Sequence, residues 1–151
     1  MSRNNSKKTA FINNYCKQFD LIEKTKDHIT FSFEFFTYSE KGGESFEDWQ
    51  KEEILADLNN KLKHFSGKTC NELFLDKTLE YYSQFPEDSN FSIPPNLIGT
   101  ATHWARFRIT GARRLIGVFL NNPKDEKNKN VFYIVFLDKN HRFAPSTKKY
   151  T

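Results

Sequence analysis

The run at 131–138 constrains the fold more than any other part of the chain. It reads VFYIVFLD, seven apolar residues followed by an aspartate, so a strand formed there would be apolar on both faces. Such a strand belongs inside a sheet that is covered on both sides. Before it, HWARFRIT at 103–110 alternates apolar and polar residues, and RRLIGVFL follows at 113–120. Gly111 lies between these two runs and predicts the turn of a β-hairpin. The end of the chain is therefore expected to form three consecutive antiparallel strands.

The earlier part of the chain predicts one strand and two helices. Residues 29–38, ITFSFEFFTY, alternate Ile or Phe with polar residues in their first half, which is typical of a strand. Residues 45–66 carry apolar residues at helical spacing after a serine that can cap the first turn. A second helix is predicted at 69–82. Residues 84–100 contain three prolines and are expected to be irregular.

The 151 residues are predicted to form a single domain. Residues 1–8 are expected to be mobile, and residues 9–28 form an N-terminal extension in which 9–24 have the spacing of an amphipathic helix. The core is expected at 29–143 and a tail at 144–151. No apolar run reaches the length needed to span a bilayer, so a soluble cytoplasmic protein without a membrane partner is predicted.

Charge is distributed unevenly along the chain. Residues 101–151 hold eleven basic and three acidic residues, for a net charge of +8, whereas residues 1–100 carry −4. This asymmetry favours a polyanionic partner, although a chance distribution of surface charge remains the alternative. The four histidines and two cysteines show no metal-ligand spacing, so neither a metal nor a cofactor is expected.

The order of elements and the motifs of the last three strands resemble the RelE/ParE toxin superfamily. In this chain the motifs read WARFR at 104–108, Gly111, RRLI at 113–116, the apolar strand at 131–137, and HRF at 141–143. The motifs are also similar to a set of bacterial and phage proteins to which we attach no function. The match in element order covers about 29–143, and the match in motifs covers 103–143. The chain departs from the family by its greater length, its N-terminal extension and its proline-containing insert.

The resemblance implies an α+β fold: a strand, two helices and three antiparallel strands, with a curved sheet packed on a helical hairpin. It also implies a toxin, or a protein derived from one, that cleaves ribosome-associated mRNA by metal-independent transesterification. RNA, the ribosome and an antitoxin protein are then the expected partners.

Two arginines separated by one residue on a strand project from the same face and can hold one phosphodiester together. Histidine is the usual proton-transfer residue near neutral pH. The resemblance favours Arg113 by its spacing from Gly111 and Arg114 by its place before Leu115 and Ile116, so both are kept. The expected catalytic residues are Arg106, Arg108, Arg113, Arg114 and His141, together with Arg142, which the resemblance places at the family's phosphate-contacting position. The expected substrate-binding residues are Trp104, Lys139 and Tyr150, the last of which the resemblance matches to the family's C-terminal aromatic residue.

Each of these residues also has a structural interpretation. Arginines on a strand can serve solubility and edge protection, the histidine can simply occupy a turn, and Trp104 can belong to the core. Two further functions therefore stay open. One is a non-catalytic module of phage or host-defence type that binds nucleic acid or protein, and the other is a ParE-like gyrase inhibitor.

Overall fold

The computed structural model describes residues 2–82, 84–100, 102–120 and 129–145, and it shows an α+β fold. A short 3-10 helix, Pro95–Leu97, lies within the proline-containing segment. The helices are α1 (Ser2–Thr25), α2 (Phe46–Lys51), α3 (Leu55–Ser66) and α4 (Cys70–Leu75), and the strands are β1 (Thr30–Ser32), β2 (Leu79–Tyr81), β3 (Thr102–Arg108), β4 (Arg114–Leu120) and β5 (Val131–Asp138).

The strands form one mixed sheet with the order β1-β5-β4-β3-β2. β1 runs parallel to β5, and the other three pairs are antiparallel. The predicted hairpin and the strand at 131–138 are confirmed, and six of the eight β5 residues are buried apolar ones, as expected of a strand covered on both faces.

Both faces of the sheet carry an apolar core, and the two cores use alternate residues of the same strands. On the helical face, Phe107, Leu115 and Phe132 pack with residues of α2, α3 and α4. On the opposite face, which we call the loop face, Trp104 and Ile116 pack beneath Phe91 and Leu97 of the proline-containing segment, joined by Phe143. The insert thus covers one part of the loop face.

Phe107 shows how aromatic rings fill the helical-face core. Its ring lies 5.1 Å from that of Phe65, 4.8 Å from that of Phe132 and 5.6 Å from that of Phe31, measured between centroids. These rings join β1, α3, β3 and β5. Offset and edge-to-face ring pairs add roughly 0.5–1.5 kcal/mol each to the free energy of burial. These four phenylalanines therefore connect the sheet to α3.

Gly117 allows β4 and β5 to approach closely where their register shifts. The pairing passes from Ile116–Phe136 to Gly117–Ile134, which leaves one extra residue on β5. A Cβ at Gly117 would lie 2.1 Å from the carbonyl oxygen of Tyr133 and 2.6 Å from Cζ of Phe132. Only glycine fits at this β-bulge without displacing the backbone.

The first strand is shorter than the prediction for 29–38. Pairing stops at Ser32, and the backbone N–H of Phe36 donates to the carbonyl of Phe33 at 3.0 Å, which closes a turn. The Phe36 ring stacks on that of Phe46 at 4.4 Å. The expectation of a strand through residue 38 is therefore wrong, because Phe33 and Phe36 pack on Phe46 of α2 instead of continuing the ladder.

The predicted helix at 45–66 is divided into α2 and α3. Ser45 caps α2 as expected: its hydroxyl accepts from the N–H of Asp48 at 3.1 Å, and the Asp48 carboxylate accepts from the N–H of Ser45. Glu53 has a φ of 60°, which interrupts the helix before α3. α3 ends at Ser66, as predicted.

The predicted helix at 69–82 is also wrong in its second half. α4 ends at Leu75, Lys77 adopts a φ of 65°, and the chain then pairs with β3 as β2. The sheet therefore has five strands instead of the expected four, and the described helices outnumber the expected helical pair. β2 becomes the edge strand next to β3.

α1 extends beyond the amphipathic helix predicted at 9–24 and includes most of the segment expected to be mobile. Its apolar residues, among them Phe11 and Phe19, are exposed. No helix in the described ranges is both long enough and apolar enough to cross a membrane.

Candidate functional site

A row of charged residues crosses three strands at one end of the loop face. Arg108 at the end of β3 lies opposite Arg114 at the start of β4, and Arg114 lies opposite Asp138 at the end of β5. Residues directly opposite each other in a sheet project from the same face. Side chains along a strand point alternately to the two faces of the sheet, so these three side chains lie on the same face as Trp104 and Ile116.

Arg106 lies on the same face, two residues before Arg108. Its side chain forms an ion pair with Glu80, its partner across the β2–β3 ladder. The Arg106 side chain is mostly buried, whereas that of Glu80 is about half exposed. The carboxylate of Glu80 on the edge strand therefore partly balances the positive charge of Arg106 in the site. We refer to Arg106, Arg108 and Arg114 as the arginine cluster.

Arg114 is the most buried member of the cluster, at 7% exposed. Its Nη1 donates to the carbonyl oxygens of Gly111 at 2.6 Å and of Arg113 at 2.9 Å. Its Nε is buried and has no hydrogen-bond partner among the described residues. Burial, followed by the positive charges of Arg106 and Arg108, lowers the pKa of Arg114, although a guanidinium stays charged at physiological pH. A buried donor without an acceptor is costly, so this end of the face is suited to an anion.

The structure separates Arg113 from Arg114. Arg113 lies in the hairpin turn, one residue before β4 begins at Arg114. Its Nη1 donates to the hydroxyl of Thr110 at 3.0 Å. Of the two candidates that the sequence left open, Arg114 is the one that joins Arg106 and Arg108. Arg113 stabilises the turn.

His141 lies in a turn that Asp138 holds in place. The Asp138 carboxylate is 1% exposed and accepts the backbone N–H of Arg142 through Oδ1 and that of Phe143 through Oδ2, both at 2.9 Å. Within this turn, His141 has a φ of 59° and is half-buried. Because Asp138 also faces Arg114, the turn begins at the sheet end that carries the arginine cluster.

The side chain of Arg142 contacts Glu40 and Phe91, away from the arginine cluster. Its Nη2 donates to the backbone carbonyl of Glu40 at 2.8 Å, and its guanidinium carbon lies 5.1 Å from the centre of the Phe91 ring. These contacts tie the turn after β5 to the segment before α2 and to the proline-containing segment. The structure thus gives the guanidinium of Arg142 a packing role and does not bring it into the arginine cluster.

Two of the three expected substrate-binding residues, Trp104 and Lys139, are engaged in separate contacts. Trp104 is 4% exposed, and its ring stacks on that of Phe136 at 6.0 Å, so it is a core residue and cannot stack on a base. Lys139 forms an ion pair with Glu52 just after α2. Tyr150 lies outside the described residues.

Two acidic residues near these positions were missed from the sequence. Glu80 balances Arg106, and Glu44 lies buried beneath Lys139. Glu44 Oε1 accepts from the backbone N–H of Lys139 at 2.6 Å and from Nε1 of Trp49 at 3.3 Å. Its second oxygen is buried without a hydrogen-bond partner among the described residues. The charge asymmetry did not indicate either residue, because Glu80 meets Arg106 only through the β2–β3 pairing and Glu44 meets Lys139 only through the tertiary fold.

Burial raises the pKa of Glu44 above the ordinary value of 4.5. The folded protein therefore binds a proton more tightly than the unfolded chain, and ionisation of Glu44 opposes folding as pH rises above about 4.5. We expect Glu44→Gln to remove this effect, so the stability of this variant relative to wild type should increase as pH rises from about 4.5 through the raised folded-state pKa of Glu44. Urea unfolding at several pH values measures this, with exposed Glu47→Gln as control. A difference from wild type that stays constant with pH would contradict the assignment.

The described part of the chain contains no group of three or more His, Cys, Asp or Glu side chains arranged to hold a metal ion. What the site offers is the guanidinium groups of the arginine cluster, with the carboxylates of Glu80 and Asp138 beside them. Guanidinium groups can bind an anion.

Comparison with protein-family models, with curated proteins and with solved structures found no match to this chain.

Proposed function

We propose that this protein binds RNA through the arginine cluster and cleaves it without a metal ion, in the manner that the resemblance to the RelE group implies. The observation that carries the proposal is the meeting of Arg106, Arg108 and Arg114 at one end of one sheet face, with the buried Nε of Arg114 unpaired. Guanidinium groups bind phosphate oxygens in a planar, bidentate geometry.

Cleavage of RNA without a metal requires three events. The 2′-hydroxyl loses a proton, charge on the reacting phosphate is balanced, and the leaving 5′-oxygen gains a proton. Preorganised positive charge supplies much of the stabilisation in phosphoryl transfer. In our proposal Arg108 and Arg114 bind the phosphate, and His141 in the adjoining turn accepts the proton of the 2′-hydroxyl as general base. The 2′-oxygen bonds to phosphorus as the bond from phosphorus to the 5′-oxygen breaks, and water gives that leaving oxygen its proton.

One set of contacts favours a second candidate, a module that binds nucleic acid without cleaving it. Arg142 is held by Glu40 and Phe91, and Trp104 is buried, so two residues expected to contact the substrate are used for packing. A protein of this second kind would bind phosphate but would not cleave RNA. The presence or absence of RNA cleavage products distinguishes the two candidates.

The test is cleavage of single-stranded RNA in EDTA, with and without ribosomes, analysed for products that end in a 2′,3′-cyclic phosphate. We expect His141→Asn to lower the rate by roughly 100-fold or more, because general acid–base catalysis contributes about 10²–10⁴. Asparagine tolerates the positive φ of this position, so the turn is kept. Arg108→Ala should be similarly impaired, and Lys63→Ala on α3 is the matched control.

A wild-type protein that binds RNA but leaves it intact with ribosomes present would establish the binding module instead. A His141→Asn variant as active as wild type would remove His141 from the mechanism.

A further inference from the structure

A cleft opens at the edge of the sheet beside Arg108. It has a volume of about 420 Å³ and is lined by Phe74, Leu75, Lys77, Leu79, Glu80 and Arg108. We call it the β2 cleft. Phe74 and Leu75 at the end of α4 are 50% and 70% exposed. The cleft thus combines exposed apolar surface with two positive side chains.

The backbone of β2 adds hydrogen-bonding groups to this cleft. Thr78 and Tyr82 bond to Arg108 and Trp104 of β3 through their main chains. Because the bonding direction alternates along an antiparallel strand, the N–H and C=O groups of Leu79 and Tyr81 point away from β3. β2 is the edge of the sheet, so these groups face outward beside the cleft.

Arg108 connects the β2 cleft to the arginine cluster. It lines the cleft, it lies opposite Arg114, and its charge acts on that residue. Lys77 adds positive charge at the cleft, and the one acidic lining residue, Glu80, is engaged by Arg106. A phosphate bound at Arg108 would therefore place the next group of its chain at an apolar cleft with outward-facing backbone donors and acceptors.

We propose that the β2 cleft binds an unpaired nucleobase of single-stranded RNA, next to the phosphate held by Arg108. The inference rests on the proposed function and specifies its substrate as single-stranded. The base packs on Phe74 and Leu75, and its polar edge bonds to the main chain of Leu79. A base in a duplex is stacked and paired and cannot enter. Stacking on an aromatic ring tolerates every base, so this site selects for single strands more than for sequence.

The test compares three probes that share a phosphate backbone: a single-stranded RNA oligonucleotide, its duplex, and the same strand with abasic riboses. We expect the 151-residue protein to bind the single strand about tenfold more tightly than the abasic strand, which is the effect of one stacked base. Phe74→Ala should reduce that ratio several-fold without changing the affinity for the abasic strand. Leu75→Ala should act in the same direction, and Phe11→Ala on α1 is the matched control for an exposed phenylalanine.

Equal affinities for the intact and abasic strands would overturn the cleft assignment while leaving phosphate binding in place. Failure to bind any of the three probes would instead overturn the proposed function. A dimer of the RNA-free protein that sedimentation detects in wild type and not in Phe74→Ala would assign the cleft to a second copy of the chain.

Discussion

Replacing Asp138 with alanine is expected to lower the free energy of unfolding by about 3 kcal/mol. The carboxylate is buried at the end of β5 and accepts the backbone N–H groups of Arg142 and Phe143. Hydrogen bonds to a charged partner contribute roughly 1.5–3 kcal/mol each, and Phe143 is itself buried, so its amide would lose its partner away from water. Chemical denaturation measures the loss.

A second Asp138 variant and a control at an exposed aspartate test whether the loss comes from the hydrogen bonds of Asp138. Asp138→Asn keeps one carbonyl acceptor and should lose less stability than alanine. Asp20→Ala removes an exposed carboxylate from α1 and should leave stability within about 0.5 kcal/mol of wild type. If Asp138→Ala were as stable as the Asp20 variant, the turn that carries His141 would not depend on this carboxylate.

Substitutions at Arg108 and Glu80 are expected to change RNA affinity in opposite directions. Arg108 is exposed, with its charge directed to the site, so Arg108→Ala should weaken binding about tenfold with little effect on folding. Glu80 places a negative charge beside the cluster and pairs with Arg106. Glu80→Gln should therefore strengthen binding, because Arg106 becomes available to phosphate and a repulsive charge is removed. Fluorescence anisotropy with a labelled single strand measures both, and weaker binding by Glu80→Gln would contradict this arrangement.

The strands at the end of the chain were predictable because their patterns agree with their tertiary environment. β5 is apolar on both faces, and both faces are covered. β3 alternates, with Phe107 directed to the helical face and Arg108 to the loop face. The turn at Gly111 has a φ of 54°, which glycine adopts without strain.

The middle of the chain was less predictable because long-range contacts override its local pattern. Leucines at helical spacing continue from Leu73 to Leu79. The positive φ of Lys77 nevertheless ends the helical course, and the residues that follow pair with β3 as strand β2. β-strand pairing depends on context more than helix formation does. The prediction of a strand beyond Ser32 was wrong for the same reason, because a tertiary contact, the packing of Phe36 on Phe46, overrides the local pattern.

The sequence predicted which kinds of side chain form the candidate site but not which of them meet. The choice between Arg113 and Arg114 depends on the hairpin register, which sets the face on which each side chain lies. The pairing of Glu80 with Arg106 depends on β2, an element that the sequence did not predict. Arg142 follows His141 directly, yet its side chain reaches Glu40 on a distant segment. Register and tertiary contact, which a single sequence does not specify, decide each case.

The dependence of RNA affinity on salt tests the central claim most directly, since each phosphate bound by an arginine releases counterions. Affinity for a single-stranded oligonucleotide is measured at several NaCl concentrations for wild type, Arg108→Ala and the control Lys63→Ala. We predict that wild-type affinity falls steeply with salt, that Arg108→Ala reduces the log–log slope by about 0.7–1, and that Lys63→Ala leaves it unchanged. A wild-type affinity that does not vary with salt, or an equal slope for Arg108→Ala, would contradict phosphate binding by the arginine cluster.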